Sequence, residues 1–560
     1  MSSMPPTGPG QGPDYLDNTA APLPPSQVGE QDKRKRLLAL GGIVGAGILI
    51  GGGAWAATSF FATGSQPAEA LPASALMYAS VDLDPSGGQK IEAIRTLKKF
   101  PAFAEEIDLE TDDDLRERMF EELTASGECE GLDYAEDVEP WLGSRAAVAA
   151  IDAGEEQPSP VVVVQVTDSG AAEDGMATLI ETCGGESGSE TESDTGAWAV
   201  EGDWLVAAET QDIVDKVVTD AGEASLADDD AFGRWTGEAG DDGIMSVYVA
   251  KAAAEYVGEL AGRGMFDSPL SPGVDPLEAM EDMAEPTEEA PEEVPEEVRQ
   301  MLEEFDGMAA TVRFDGGALE IEYAMSNYQP ELAALFANQA GVDLVSTLPA
   351  DTVAAFGVGF EEDWVQGIID YVEKTMPQEE MSAEEMMAEA EAQTGLSLPE
   401  DIATLFGDGV AVAVGPGLSP DAIANGGPGE MPLGIRIAGD SDEIQAVLDK
   451  LKEQAGPQAA EYMEVTQGDG FAVFGLQEEF RSELESEGSL GDSAAFKEVA
   501  GDGDAQSVFF VDFDADDNWL VRMSEDIPDM SKNVEPLSAL GISAWADDEV
   551  IHGLFKVTTD

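Results

Sequence analysis

Histidine occurs once in the 560 residues, at His552, and cysteine twice, at Cys129 and Cys183. A Ser–His–Asp or Cys–His centre needs a histidine base. His552 lies in VIHGLF, where alternation marks it as an ordinary strand residue. Zinc chemistry is short of ligands for the same reason. No Gly-Lys pair occurs, which excludes a P-loop, and there is no G-x-S-x-G elbow. Gly357-Val358-Gly359 and Gly407-Asp408-Gly409 lack the third glycine of a dinucleotide turn. Basic residues are scarce too: 26 Lys and Arg stand against 116 Asp and Glu, a net charge of −90. Such a surface repels nucleic-acid phosphates and anionic headgroups, so no nucleic-acid partner is expected.

What is present is a normal apolar content, 43%, in a chain long enough for two or three domains. Residues 1–36 are rich in proline and glycine and read as a disordered cytoplasmic tail ending in Lys33-Arg34-Lys35-Arg36. Residues 37–61 carry no charge and no proline. A helix of that length reaches about 37 Å, enough for a bilayer core of roughly 30 Å. The basic run before it predicts a single-pass signal anchor, with the N-terminus cytoplasmic and the remainder extracellular. A cleaved signal peptide is the competing reading, but its apolar region is shorter and lies nearer the N-terminus. Residues 1–36 hold four basic and four acidic groups and 37–61 hold none, so 22 basic and 112 acidic groups follow. The whole excess negative charge belongs to the expected ectodomain.

After a linker at 62–70, the ectodomain reads as a duplication, with one repeat at 71–330 and the other at 331–560. Leu71-Pro72-Ala73 opens the first and Leu348-Pro349-Ala350 the second. Tyr134–Gly143, ending Pro140-Trp141-Leu142-Gly143, matches Leu398–Gly407. PVVVVQVTDSG matches PLGIRIAGDSD, SLADDDAF matches SLGDSAAF, and AWAVEGDWLVAAE matches GFAVFGLQEEF less closely. Short period-2 runs alternate with helical runs in both copies. Asp168 and Asp440 stand where helix N-caps are needed. Glu201-Gly202-Asp203 and Asp315-Gly316-Gly317 suit hairpin turns. The expected fold is therefore α+β: an N-terminal transmembrane helix, then two homologous lobes, each a mostly antiparallel sheet covered by helices on one face. The acidic proline-rich stretch at 275–298 predicts an exposed loop, and Gln378–Gln393 an exposed helix.

The basic–apolar start, the two LPA openings, Pro140-Trp141-Leu142-Gly143 and the Ala231-Phe232 and Ala495-Phe496 helix starts carry a resemblance to a known family. Residues 66–560 resemble the single-pass envelope proteins of high-GC Gram-positive bacteria that carry domain of unknown function 3352 (DUF3352). The resemblance implies topology and a cell-envelope location, and no activity.

With 116 acids, pairs of carboxylates arise by chance, so a glycosidase-type pair has little support. Asp112–Asp114, Asp228–Asp230 and Asp512, Asp514, Asp516 and Asp517 lack EF-hand spacing. No catalytic, cofactor or metal site is assigned, and weak nonspecific divalent-cation binding is the most this acidity implies. Cys129 and Cys183 both fall in the expected extracellular part, where two cysteines usually pair. Closing that loop of about 55 residues stabilises by roughly 3–4 kcal/mol in the chain-entropy model. Trp141, Trp198, Trp204 and Trp235 are candidates to line a cleft between lobes, although strand tryptophans are usually core. The leading functional expectation is a membrane-anchored, non-enzymatic binding or scaffolding protein. The alternatives are an envelope hydrolase using paired carboxylates and a subunit of a membrane complex. The ligand, partner and oligomeric state are not legible in the sequence.

Overall fold

The structure, a computed structural model, describes residues 65–560 except 83–87, 107–112, 126–130, 155–156, 184–195, 242, 255, 257–303, 327–337, 376–382, 420–427, 453–463, 469, 501–504, 526 and 547–549. Residues 77–326 contribute eight strands: β1 (Met77–Asp82), β2 (Leu142–Ile151), β3 (Ser159–Val166), β4 (Ala197–Glu201), β5 (Trp204–Ala208), β6 (Met245–Ala250), β7 (Gly307–Asp315) and β8 (Ala318–Ser326). Residues 354–559 contribute β9 (Ala354–Gly359), β10 (Gly409–Val414), β11 (Leu433–Ile437), β12 (Thr466–Gln467), β13 (Ala472–Gly475), β14 (Ser507–Asp512), β15 (Leu537–Ala546) and β16 (Val550–Thr559).

All sixteen form one sheet, ordered β12-β13-β11-β10-β9-β14-β15-β16-β8-β7-β6-β1-β2-β3-β5-β4. The order is a palindrome in the sense that each strand from β9 to β16 takes the place held by its counterpart among β1 to β8. The halves meet where β16 pairs antiparallel with β8, from Val550↔Ser326 to Val557↔Leu319.

This corrects the expected fold. The halves are not separate lobes with their own sheets, because the β8–β16 ladder makes one continuous antiparallel sheet. Helices also lie on both faces, not one. The expected membrane helix at 37–61 falls outside the described residues, and no described helix is long and apolar enough to cross a membrane. The acidic loop at 275–298 also falls outside them. The expected exposed helix is present as Ala383–Thr394.

Local sequence explains the repeated elements. Leu71 and Leu348 are fully buried and begin the two cores. The carbonyl of Leu71 accepts the Leu226 N–H at 2.8 Å, and that of Leu348 accepts the Leu490 N–H at 3.0 Å. This contact is why each LPA opening is matched by a later Ser-Leu. Asp229 then caps a helix by accepting the Phe232 N–H at 2.8 Å, and Ser493 does so for Phe496 at 3.2 Å. Phe232 and Trp235 pack with Tyr78, Val163 and Val206 on one face of the sheet. Phe480, Leu484 and Phe496 pack with Phe510 and Val473 on the same face of the other half. Each such side chain contributes roughly 1.5–3 kcal/mol on burial.

Alternate residues point to the opposite face. There the helix Ser169–Cys183 covers Val166 and Leu205, and the helix Trp364–Thr375 covers Val358 and Val410. Gly202 has φ +61°, and Gly316 and Gly317 have φ +60° and +87°. Those values are why glycine occupies the two-residue hairpin turns. Asp168 and Asp440 cap as expected, accepting N–H groups at 2.9–3.1 Å. One matched segment shifts: by sheet position β13 corresponds to β5, and β12 to β4.

Candidate functional site

Three places gather polar or exposed apolar groups. The first is the seam between the halves. Glu320 and Glu322 project from β8 on one face, Arg313 from β7 and Lys556 from β16. Arg313 bonds Glu320 at 2.8 Å and Glu322 at 2.6 Å, and Lys556 reaches Glu320 at 2.5 Å. The side chains of Arg313 and Glu320 are largely buried. Burial alone would lower the Arg313 pKa, but the two carboxylates overcome it and raise it. Gly240, at φ +85°, lies so close that a Cβ there would collide with the Glu322 carboxylate. Two carboxylates and two cations thus neutralise one another across three strands. His552 stands further along the same face of β16. Its ring stacks on Trp545 at 5.2 Å and 6°, with Nε2 3.8 Å from a Glu238 carboxylate oxygen.

The second place is the interior of residues 354–559. Arg436 in β11 is fully buried. It donates to the carbonyls of Leu484 (3.0 Å), Thr347 (2.7 Å) and Ser486 (2.7 Å) and to the Thr347 hydroxyl (3.0 Å). Its guanidinium lies 4.5 Å above the Phe471 ring. Loss of solvent lowers its pKa to about 10. Arg436 ties the ends of the helices Ala340–Ser346 and Glu478–Leu484 to the sheet, a structural role.

The third place is the opposite face of the sheet. Phe356, Phe509 and Ile542 lie in register on β9, β14 and β15 and are 40%, 37% and 37% exposed. The row continues to Phe555 and Ile321 across the seam. Large apolar side chains aligned on an open sheet face mark a contact surface more often than scattered ones do.

The acidic runs singled out in the sequence serve local geometry. Asp114 holds Arg116 at 2.7 Å and accepts the Tyr134 hydroxyl at 2.9 Å. Asp228 accepts the Ser225 hydroxyl at 2.9 Å. Asp512 accepts the N–H groups of Asp514 and Ala515, and Asp516 accepts from Gly417 and Arg522. Asp514 accepts the Ser538 hydroxyl at 2.8 Å. Burial raises the Asp512 and Asp514 carboxyls above their ordinary range, and Asp560 adds to the rise at Asp514. Among the described residues no group of three or more His, Cys, Asp or Glu side chains is arranged to hold a metal ion.

Trp141, Trp204 and Trp235 are buried and Trp198 is half-buried, so they line core rather than a cleft. Trp235 donates to the Asp306 carbonyl at 3.2 Å, and Trp141 to the Asp137 carbonyl at 2.7 Å. Cys183 ends a helix, while Cys129 and the run Lys33, Arg34, Lys35 and Arg36 lie outside the described residues. The sequence reading missed Arg313, Glu320, Glu322, Lys556 and Arg436. A signal existed for one pair. A two-residue turn at Gly316-Gly317 forces Arg313 opposite Glu320, which the spacing alone allows one to count.

Comparison with known proteins gives one result. A family model described as "Protein of unknown function (DUF3352)" matches residues 38–469, well over half the chain. No curated protein and no solved structure matches.

Proposed function

We propose that this chain, which belongs to the DUF3352 family, is an extracytoplasmic binding or scaffolding protein of the cell envelope. The observation that carries the reading is the exposed row Phe356, Phe509 and Ile542. An apolar strip on an acidic body suits recognition, because it stays soluble through repulsion while offering area to one complementary surface. Location outside the cytoplasm rests on the basic-then-apolar order of residues 33–61.

Two experiments test this reading. Protease added to intact cells stripped of their wall should digest residues 65–560, and protection there would remove the location. Photo-crosslinking of the full chain in membranes should yield an adduct that Phe509→Ser, still folded, loses. An adduct indifferent to that change would remove the surface.

A hydrolase using paired carboxylates is the second reading, and the raised pKa of Asp512 and Asp514 favours it. Asp512 already accepts the N–H groups that turn the chain after β14, and Asp514 already accepts the Ser538 hydroxyl from β15. Screening with glycan and ester substrates, comparing Asp514→Asn with the parent, decides between the readings. An activity lost in the variant would favour the enzyme.

A further inference from the structure

The two edges of the sheet occupy equivalent places in the strand order and are built differently. The β12 edge is two residues long, Thr466–Gln467. The β4 edge is five, Ala197-Trp198-Ala199-Val200-Glu201, with neither lysine nor proline to blunt it.

The hairpin turn fixes which backbone groups face outward. Gly202 and Asp203 form a two-residue loop, so Glu201 and Trp204 form the hydrogen-bonded pair that closes it. Alternation then turns Glu201, Ala199 and Ala197 inward to β5. The N–H and C=O groups of Trp198 and Val200 point away from the sheet. Among the described residues no chain pairs with that side of β4. The side chains are meanwhile anchored. Ala197 and Ala199 pack on one core, and Trp198 and Val200 on the other. The strand is therefore held extended on both faces, with no other described strand bonded to its outer edge.

Charge selects what fits there. The helices packed against β4 are Ser169–Cys183 and Gln211–Glu223. Together they carry seven carboxylates and one lysine, Lys216, which pairs with Asp220 at 2.6 Å. Glu201 and Asp203 add two more carboxylates at the turn. A second copy would bring the same carboxylates against these, whereas an extended cationic segment meets them with opposite sign.

We propose that β4 is a docking edge that takes an extended basic peptide segment of a partner by strand addition. This rests on the binding reading above and gives it a second contact, separate from the Phe509 row.

The test is amide hydrogen exchange of the full-length chain in detergent. The probe is a capped nonapeptide of alternating lysine and valine. A control peptide has the same charge, with its alternate amides N-methylated. We expect exchange in 197–201 to slow at least tenfold with the first peptide and to stay unchanged with the second. Val200→Pro removes an outward N–H, a change tolerated on an edge, and should abolish the protection. If that variant fails to fold, the two peptides on the parent chain decide alone. Equal protection by both peptides, or protection spread over the acidic surface, overturns the proposal. Protection that depends on protein concentration without peptide assigns the edge to a second copy and overturns it as well. Loss of the crosslinked adduct in Phe509→Ser is read independently, so failure here leaves the binding reading standing.

Discussion

Residues 77–326 and 354–559 arrange their strands in the same order and fill them with different chemistry. Aligned on Leu71 and Leu348, Ala79, Val247 and Ala310 in the first half stand where Phe356, Phe509 and Ile542 stand in the second. Val163 stands where Arg436 stands. The first half ends in a five-residue edge and the second in a two-residue one. The lesson is that the backbone ladder and a few anchors, such as Leu71 and Leu348, carry the architecture. Even a buried valine is then replaceable by a cation, provided that neighbouring carbonyls accept its hydrogen bonds.

That contrast is open to direct attack. The largest effect is expected at Arg436. Arg436→Met removes a fully buried guanidinium and its bonds to the carbonyls of Leu484, Thr347 and Ser486, and should cost about 4 kcal/mol. Val163→Ala, the matched change in the first half, should cost about 2 kcal/mol. Urea unfolding measures both, and equal costs would remove the tie assigned to Arg436.

Next comes the seam. Glu320→Leu leaves Arg313 and Lys556 without their shared carboxylate and should cost about 3 kcal/mol. The parent should also unfold in one transition, since the β8–β16 ladder couples the halves. Two separate transitions for 77–326 and 354–559 would contradict a single cooperative sheet.

A smaller effect is expected at Phe509. Phe509→Ser should cost about 1 kcal/mol, because part of the ring already faces solvent. This makes it a usable probe of binding.

The smallest is Asp514→Asn. Burial first, and Asp560 after it, hold the folded-state pKa of Asp514 above its unfolded value. Its favourable contribution is present below the unfolded pKa, near 3.9 for a free aspartate. It is lost as pH rises through the folded value. The asparagine should therefore stabilise by under ~1 kcal/mol at pH 7, given solvent screening. It should do nothing at about pH 3. Thermal melts at both pH values check the sign.

Much of this architecture was legible in the residues. The hairpins followed from Gly202 and Gly316-Gly317, the caps from Asp168 and Asp440, and the matched openings from Leu71 and Leu348. What the residues hid was the join. Nothing in the pattern of β8 or β16 says that they pair with each other across the chain, because alternation specifies a face and not a neighbour. Two closed lobes and one continuous sheet therefore look alike in sequence. The ion network was hidden for a related reason: among 116 acids, Glu320 and Glu322 are conspicuous only once their strand has a partner. Arg436 was readable as an inward arginine in LGIRI, but its carbonyl partners come from helices about 50 and 90 residues away.

The β8–β16 ladder has a consequence for how the chain is made. Ser326 precedes its partner Val550 by more than two hundred residues, so the edge of β8 that faces away from β7 emerges from synthesis long before its native partner exists. For that interval it is a naked template for adventitious pairing with other nascent chains. Glu320 and Glu322 sit on that strand, and neighbouring chains of this composition are themselves strongly anionic. Glu320, which only later meets Lys556, and its neighbour Glu322 thus act as gatekeepers while the ribosome works toward the strand that completes the molecule.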